Sequence, residues 1–153
     1  SRQFEAFARR KQIPFLSVHV GPETRRERGG PVETLELQRG RLKFPVERDM
    51  WFDLNFRRHG SLAIRAVREF GADLIHITGP SDCGILGAWT AWKLRLPLVA
   101  SWHTNLHEFG ALRLKKLLRT MPGGLAGTAA TAAEKAILWA CGRYYRLGRV
   151  ILA

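Results

Sequence analysis

The feature that most restricts the fold of this chain is a recurring alternation of element types. Short, nearly continuous apolar runs are each closed by a polar turn and separated from the next by a stretch of helical periodicity. Residues 73–78 (DLIHIT), residues 98–102 (LVASW) and the closing residues 150–153 read as strands. Between them, residues 83–95 carry Ile85, Ala88, Trp89 and Trp92 on one helical face that Leu96 continues, and residues 128–147 carry Ala133, Ile137, Ala140, Cys141 and Tyr144 on another. A further helical stretch follows His103 and runs to about Leu118, before a loop over residues 121–127. Apolar strands that alternate with helices suit a parallel sheet covered on both faces, because such strands are buried on each side. The fold class is therefore α/β, a Rossmann-like parallel sheet with helices on both faces.

Upstream, residues 2–12 read as an amphipathic helix with Phe4, Phe7 and Ala8 at helical spacing. Pro14 leads into a β-rich run at residues 15–20, stopped by Gly21 and Pro22. The glycines, proline and charges of residues 21–32 read as a surface loop, and residues 34–37 and 42–46 as short extended segments. From Asn55 to Phe70 the pattern is helical, with Ala63, Ala66, Val67 and Phe70 at i, i+3, i+4 and i+7 and Gly71 as the stop. The 153 residues suit a single domain, and no run approaches the roughly 20 apolar residues of a membrane-crossing helix. The chain opens on Ser1 inside a helix, so we expect a piece of a longer protein.

Cys83 and Cys141 are far apart, lack metal or redox spacing and sit at apolar helical positions, which favours buried free thiols and a reducing, cytoplasmic setting. The net charge of +12 favours anionic partners. Its bases are scattered, however, in groups such as Arg25-Arg26-Glu27-Arg28, Arg57-Arg58 and Lys115-Lys116, so solvated faces explain them better than a polyanion groove.

In an open parallel sheet, ligands bind beyond the carboxyl ends of the strands. Three turns leave strands at that end: Gly21 with Thr24, residues 79–82 (GPSD), and His103-Thr104-Asn105. At the second, Gly79, Ser81 and Asp82 open a helix whose amides could approach a hydroxyl or phosphate, while Ser81 or Asp82 could equally cap that helix. At the third, His103 stands at the end of an apolar strand, rigidly held and able to donate to a sugar hydroxyl or a phosphate. His103 and His107 are four apart, which raises a metal-dependent hydrolase as an alternative, but Thr104 replaces the glutamate of the zincin pattern. No metal is therefore expected. His76 lies on the strand face opposite Ile75 and Ile77 and reads as a packed residue; the tryptophans, above all Trp89 and Trp92, read as core. A basic module that binds nucleic acid or anionic surfaces is a second alternative, and a non-catalytic interaction module a third.

Residues 73–110, DLIHITGPSDCGILGAWTAWKLRLPLVASWHTNLHEFG, resemble the amino-terminal domain of the group-1 (family 4) retaining glycosyltransferases of the two-Rossmann-domain GT-B type. The shared pattern is an Asp-hydrophobic-His strand, a Gly/Pro/Ser turn, a helix, a Pro-led apolar strand and the His103-Thr104 pair. A weaker resemblance extends from Phe4 to the carboxyl end. It implies sugar transfer from a nucleotide-sugar donor to a sugar or lipid acceptor with retention of configuration and no metal cofactor. His103 would act at the transferred sugar or acceptor, with Gly79, Ser81, Asp82, Thr104 and Asn105 lining the cleft. The resemblance also implies that this is a partial, acceptor-side domain. Its first strand with a Gly-rich loop, and a carboxy-terminal Rossmann domain as partner, would lie elsewhere in the protein, leaving this piece alone inactive. A peripheral position at the inner face of an anionic membrane suits the charge, and no nucleic acid is expected.

Overall fold

The computed structural model describes residues 2–47, 50–101 and 125–152. Its elements are α1 (Arg2–Lys11), β1 (Phe15–Gly21), β2 (Arg25–Gly29), β3 (Val32–Gln38), β4 (Lys43–Glu47), β5 (Met50–Asp53), a 3-10 turn (Phe56–His59), α2 (Gly60–Phe70), β6 (Ile75–Ile77), α3 (Asp82–Leu94), β7 (Leu98–Ser101), α4 (Leu125–Tyr145) and β8 (Val150–Leu152). The helical stretch expected after His103 lies outside the described residues.

The expected parallel sheet is present, in two pieces. Strands β6, β7 and β8 form one parallel sheet in that order, with Ile77 beside Ala100 and Ala100 beside Ile151. Strands β1 and β3 pair in parallel in another, and β2 joins its far edge antiparallel. Strands β4 and β5 form a separate hairpin. Residues 25–29, expected to be loop, are thus a strand. They read as loop because their charges hide the alternation; cross-strand pairing supplies what apolar burial does not. Arg25 faces Glu36 and Arg28 faces Glu33 in the ladder, with guanidinium–carboxylate distances of 3.0 and 2.8 Å. Arg26 bridges Glu33 and Glu69, which ties β2 to α2. Most of this basic cluster is therefore spoken for by carboxylates of the same domain.

Two hydrophobic clusters hold the layers together. One joins Leu35 and Leu37 of β3 to Ala63 and Ala66 of α2 and Leu86 of α3. The other joins Ile77, Leu98 and Ala100 of the second sheet to Ala88 and Ala91 of α3 and Cys141 and Tyr145 of α4. Helix α3 belongs to both, and its small residues let it do so. A Cβ added at Gly87 would stand 2.9 Å from the Ile77 methyl, and one at Gly84 would stand 1.8 Å from the carbonyl oxygen of Gly79. This close approach corrects the expectation that Trp89 and Trp92 are core. Gly84, Ala88 and Ala91 take the buried face, whereas Trp92 is 69% exposed and Trp89 sits at the rim with Lys93 near both rings. On α4, Cys141 and Tyr145 are buried, Ile137 and Tyr144 partly so, but Ala140 is exposed; the Ala133 side chain lies outside the described residues.

Gly84→Ala should lower unfolding stability by about 2–3 kcal/mol, because the backbone it meets cannot move aside. Gly142→Ala, in α4 with open space around the added carbon, should raise it by about 0.5–1 kcal/mol. Urea melts of the two variants check this contrast.

Candidate functional site

Strand β6 ends at Ile77, and the turn that follows is built from both sides. Gly79 has a φ of 153°, a value side chains rarely adopt, so a glycine here lets the chain reverse at once into α3. Ser81 is the N-cap of α3: its hydroxyl accepts from the Gly84 amide at 3.0 Å. Asp82 is buried, with one carboxylate oxygen accepting from the Cys83 amide at 2.8 Å and the other from the Asp53 amide at 3.0 Å. Ser81 is exposed and Gly79 half-buried with open space beside its Cα, while Asp82 is buried. His103, Thr104 and Asn105, the other expected site residues, lie outside the described residues, as does His107. Gly21 and Thr24, at the end of β1, are held by their own neighbours: Thr24 accepts from the Gln38 amide at 3.0 Å.

No motif or spacing among the residues points to Asp53, which organises this end of the molecule. It is 1% exposed and forms an ion pair with Arg58 at 2.6 Å. It also accepts from the amides of Gly40 at 2.7 Å and Asn55 at 2.9 Å. Burial by itself would push this carboxyl up, but the Arg58 guanidinium and the two amides outweigh it and hold the group down at about 2. Through its own amide, Asp53 reaches Asp82, so the hairpin, the 3-10 turn and the start of α3 share one polar junction. Arg58 and His59 also donate to or meet the carbonyl of Gln38, the last residue of β3.

From the opposite side α4 contributes two tyrosines. The Tyr144 hydroxyl donates to the Gly79 carbonyl at 3.2 Å, and the Tyr145 hydroxyl donates to the Ser101 carbonyl at 3.4 Å. Burial raises the proton affinity of both phenols, which keeps them protonated as donors. Ser101 is the last residue of β7 and lies two residues before His103 in the chain. Its hydroxyl pairs with His76 Nε2 at 2.6 Å, and the His76 ring stands edge-on to Phe4 at 4.8 Å. His76 is thus a packed residue that links β6, β7 and α1. Cys83 is half-buried; burial first, then the Asp82 charge, pushes its thiol up to about 12, so it stays protonated and a poor nucleophile. Among the described residues no cluster of metal-ligating side chains is present, and no helix is long and apolar enough to cross a membrane.

A parallel α/β layer with a Gly/Pro/Ser turn at a strand's carboxyl end is shared by many enzymes, and comparison with known proteins narrows the choice. The model of Glycosyltransferase Family 4 matches residues 6–152. The chain belongs to glycosyltransferase family 4. An alpha-monoglucosyldiacylglycerol synthase of Streptococcus pneumoniae (strain ATCC BAA-255 / R6) is 29% identical over 58 residues, which is 37% of this chain and 13% of that protein. No solved structure matches. The turn at residues 79–82 is the part of the expected cleft that lies among the described residues.

The depressed carboxyl of Asp53 carries a pH signature. Its ion pair contributes to stability above the ordinary carboxylate value of 3.8, and that contribution is lost as pH falls toward about 2. Unfolding stability should drop across that interval, and Asp53→Asn should be less stable at neutral pH with a flatter slope below pH 4. Denaturant melts between pH 2 and pH 6 read this directly.

Proposed function

We propose that the chain is the acceptor-side domain of a retaining glycosyltransferase that moves a sugar from a nucleotide-sugar donor to a lipid or glycan acceptor. The single observation that carries this reading is the family 4 match over residues 6–152. The turn at the end of β6, fixed from below by Asp82 and from the side by Tyr144, supplies a rigid edge for a sugar to rest on. In this reading Gly79 and Ser81 contact substrate, while Asp82 serves the site by anchoring the turn. His103, with Thr104 and Asn105, acts at the transferred sugar. The donor is held by a second Rossmann domain of the same chain, and no metal takes part. Rate enhancement then comes from aligning donor and acceptor and from stabilising the charge of the departing diphosphate.

Two observations favour a lipid acceptor at an anionic surface, with the protein peripheral to the inner face of the membrane. The relative from Streptococcus pneumoniae is named for a diacylglycerol glycolipid. Trp92 and Trp139 are each 69% exposed, with Lys93 4.7 Å and Arg143 5.7 Å from their ring centroids. Indoles beside cations suit a headgroup layer, where the ring finds an apolar boundary and the cation finds phosphate. The exposed tryptophans overturn the expectation that these rings are core. The pairing of Arg25, Arg26 and Arg28 with glutamates now weighs against a polyanion groove.

In the natural full-length protein, His103→Ala should lower kcat/KM for sugar transfer by about 100-fold or more. The 153 residues alone should transfer no sugar, measured with labelled nucleotide-sugars. Full activity in either case would contradict the reading. The full-length protein should sediment with phosphatidylglycerol vesicles and not with phosphatidylcholine vesicles, and Trp92→Ala should weaken that binding by about 5- to 10-fold. Equal binding to both vesicles would count against an anionic surface.

A further inference from the structure

Among the described residues, Arg26 and Arg39 are the arginines that are half-buried rather than exposed. Arg26 is bridged to Glu33 and Glu69, so its charge is matched within the domain even though its Nη2 is left over. Arg39 differs. Its guanidinium makes no ion pair and no hydrogen bond among the described residues, and its Nε is shut off from solvent without a partner. The orphan is Nε alone, so the two Nη atoms keep access to solvent. A cation drawn partly out of water without an anion is costly, and that cost falls when an anion is supplied.

The unmatched cation stands where a ligand belongs. Arg39 follows Gln38, the last residue of β3, at the carboxyl end of a parallel strand. Its backbone is pinned on both sides: the Arg39 amide donates to the Gly21 carbonyl at 2.9 Å, and the Gly40 amide donates to Asp53 at 2.7 Å. The charge of its guanidinium reaches the Cys83 thiol, where it opposes the rise caused by burial and by Asp82. Cys83 is two residues past Ser81, so Arg39 neighbours the turn at residues 79–82. The carboxylates of this region are engaged elsewhere, Asp53 with Arg58 and two amides, Asp82 with the amides of Cys83 and Asp53. Neither pairs with Arg39.

We propose that Arg39 binds a phosphate group of the acceptor beside the turn at residues 79–82, an assignment that rests on the acceptor-side reading of this domain. A guanidinium offers a full charge and a fork of parallel N–H donors. Two oxygens of a phosphate match that fork, and a neutral sugar hydroxyl does not. The exposed Ser81 hydroxyl accepts from the Gly84 amide and keeps its own proton for a further phosphate oxygen. The acceptor is thereby selected by charge as well as by shape. A free phosphate monoester and the diester of a lipid headgroup share the chemistry that Arg39 reads, and the experiment separates them.

A titration of the natural full-length protein tests the proposal. The Arg39 Nε–H resonance, assigned by its loss in Arg39→Lys, should shift saturably with glycerol phosphate or with short-chain phosphatidylglycerol below its micellar concentration. It should not shift with potassium chloride at equal ionic strength. Whichever compound binds more tightly identifies the source of the phosphate; no saturable shift with either would overturn the proposal. In sugar transfer the binding compound should compete with the acceptor and not with the donor, and Arg39→Gln should weaken that competition about tenfold or more. Competition with the donor alone would overturn it. Because the side chain makes no bond within the domain, Arg39→Gln should leave Tm nearly unchanged. A fall of several degrees with phosphate binding intact would make the residue structural and would also overturn the proposal. The titration needs no turnover, so a protein that binds phosphate at Arg39 yet transfers no sugar would sink the transferase reading and uphold the anion site.

Discussion

The buried carboxylate of Asp53 is the interaction on which the candidate-site end of this domain depends. A charge taken out of water is tolerated only when it is paired and fully hydrogen-bonded, and Asp53 has Arg58 and the Gly40 and Asn55 amides. Satisfying that one group draws together the loop after β3, the end of β5 and the turn before α2. The Asp53 amide then reaches Asp82 and fixes the first residue of α3. The turn at residues 79–82 is consequently defined by contacts behind it, leaving Ser81 exposed.

Helix α3 converts that local order into a shared scaffold. Its glycines and alanines allow it to lie against β6 and to contribute to both hydrophobic clusters at once. The close fit has a consequence for the surface: with the small residues turned inward, the tryptophans of the same helix are left outside. From the far side, Tyr144 and Tyr145 bind the carbonyls of Gly79 and Ser101, so two consecutive residues of α4 reach the ends of both β6 and β7.

Much of this was readable from the residues. Pro14, Gly71 and Pro97 mark boundaries by local chemistry, and Gly71 indeed ends α2 in the left-handed conformation at φ 71°. Ser81 caps the helix it was expected to open. What escaped was information held between distant positions. The Arg25–Gly29 strand is specified by glutamates on β3, and Asp53 by partners up to 29 residues away. Trp89 and Trp92 fit a helical core pattern, but the glycine and alanine positions on the neighbouring face fit the sheet more closely, and shape prevailed over hydrophobicity. The family was recognisable because its pattern is contiguous, running from Asp73 through the His103 turn.

The central claim is that the turn at residues 79–82 is a substrate-binding edge of a family 4 transferase. The most direct test is steady-state sugar transfer by the natural full-length protein carrying Ser81→Trp, beside Ser81→Asn, which keeps an N-cap acceptor. The account predicts that Asn leaves Tm and transfer nearly unchanged. The indole, placed over the exposed cap, should raise the acceptor KM about tenfold or more while the protein stays folded. Unaltered KM and kcat in a folded Ser81→Trp protein would contradict it.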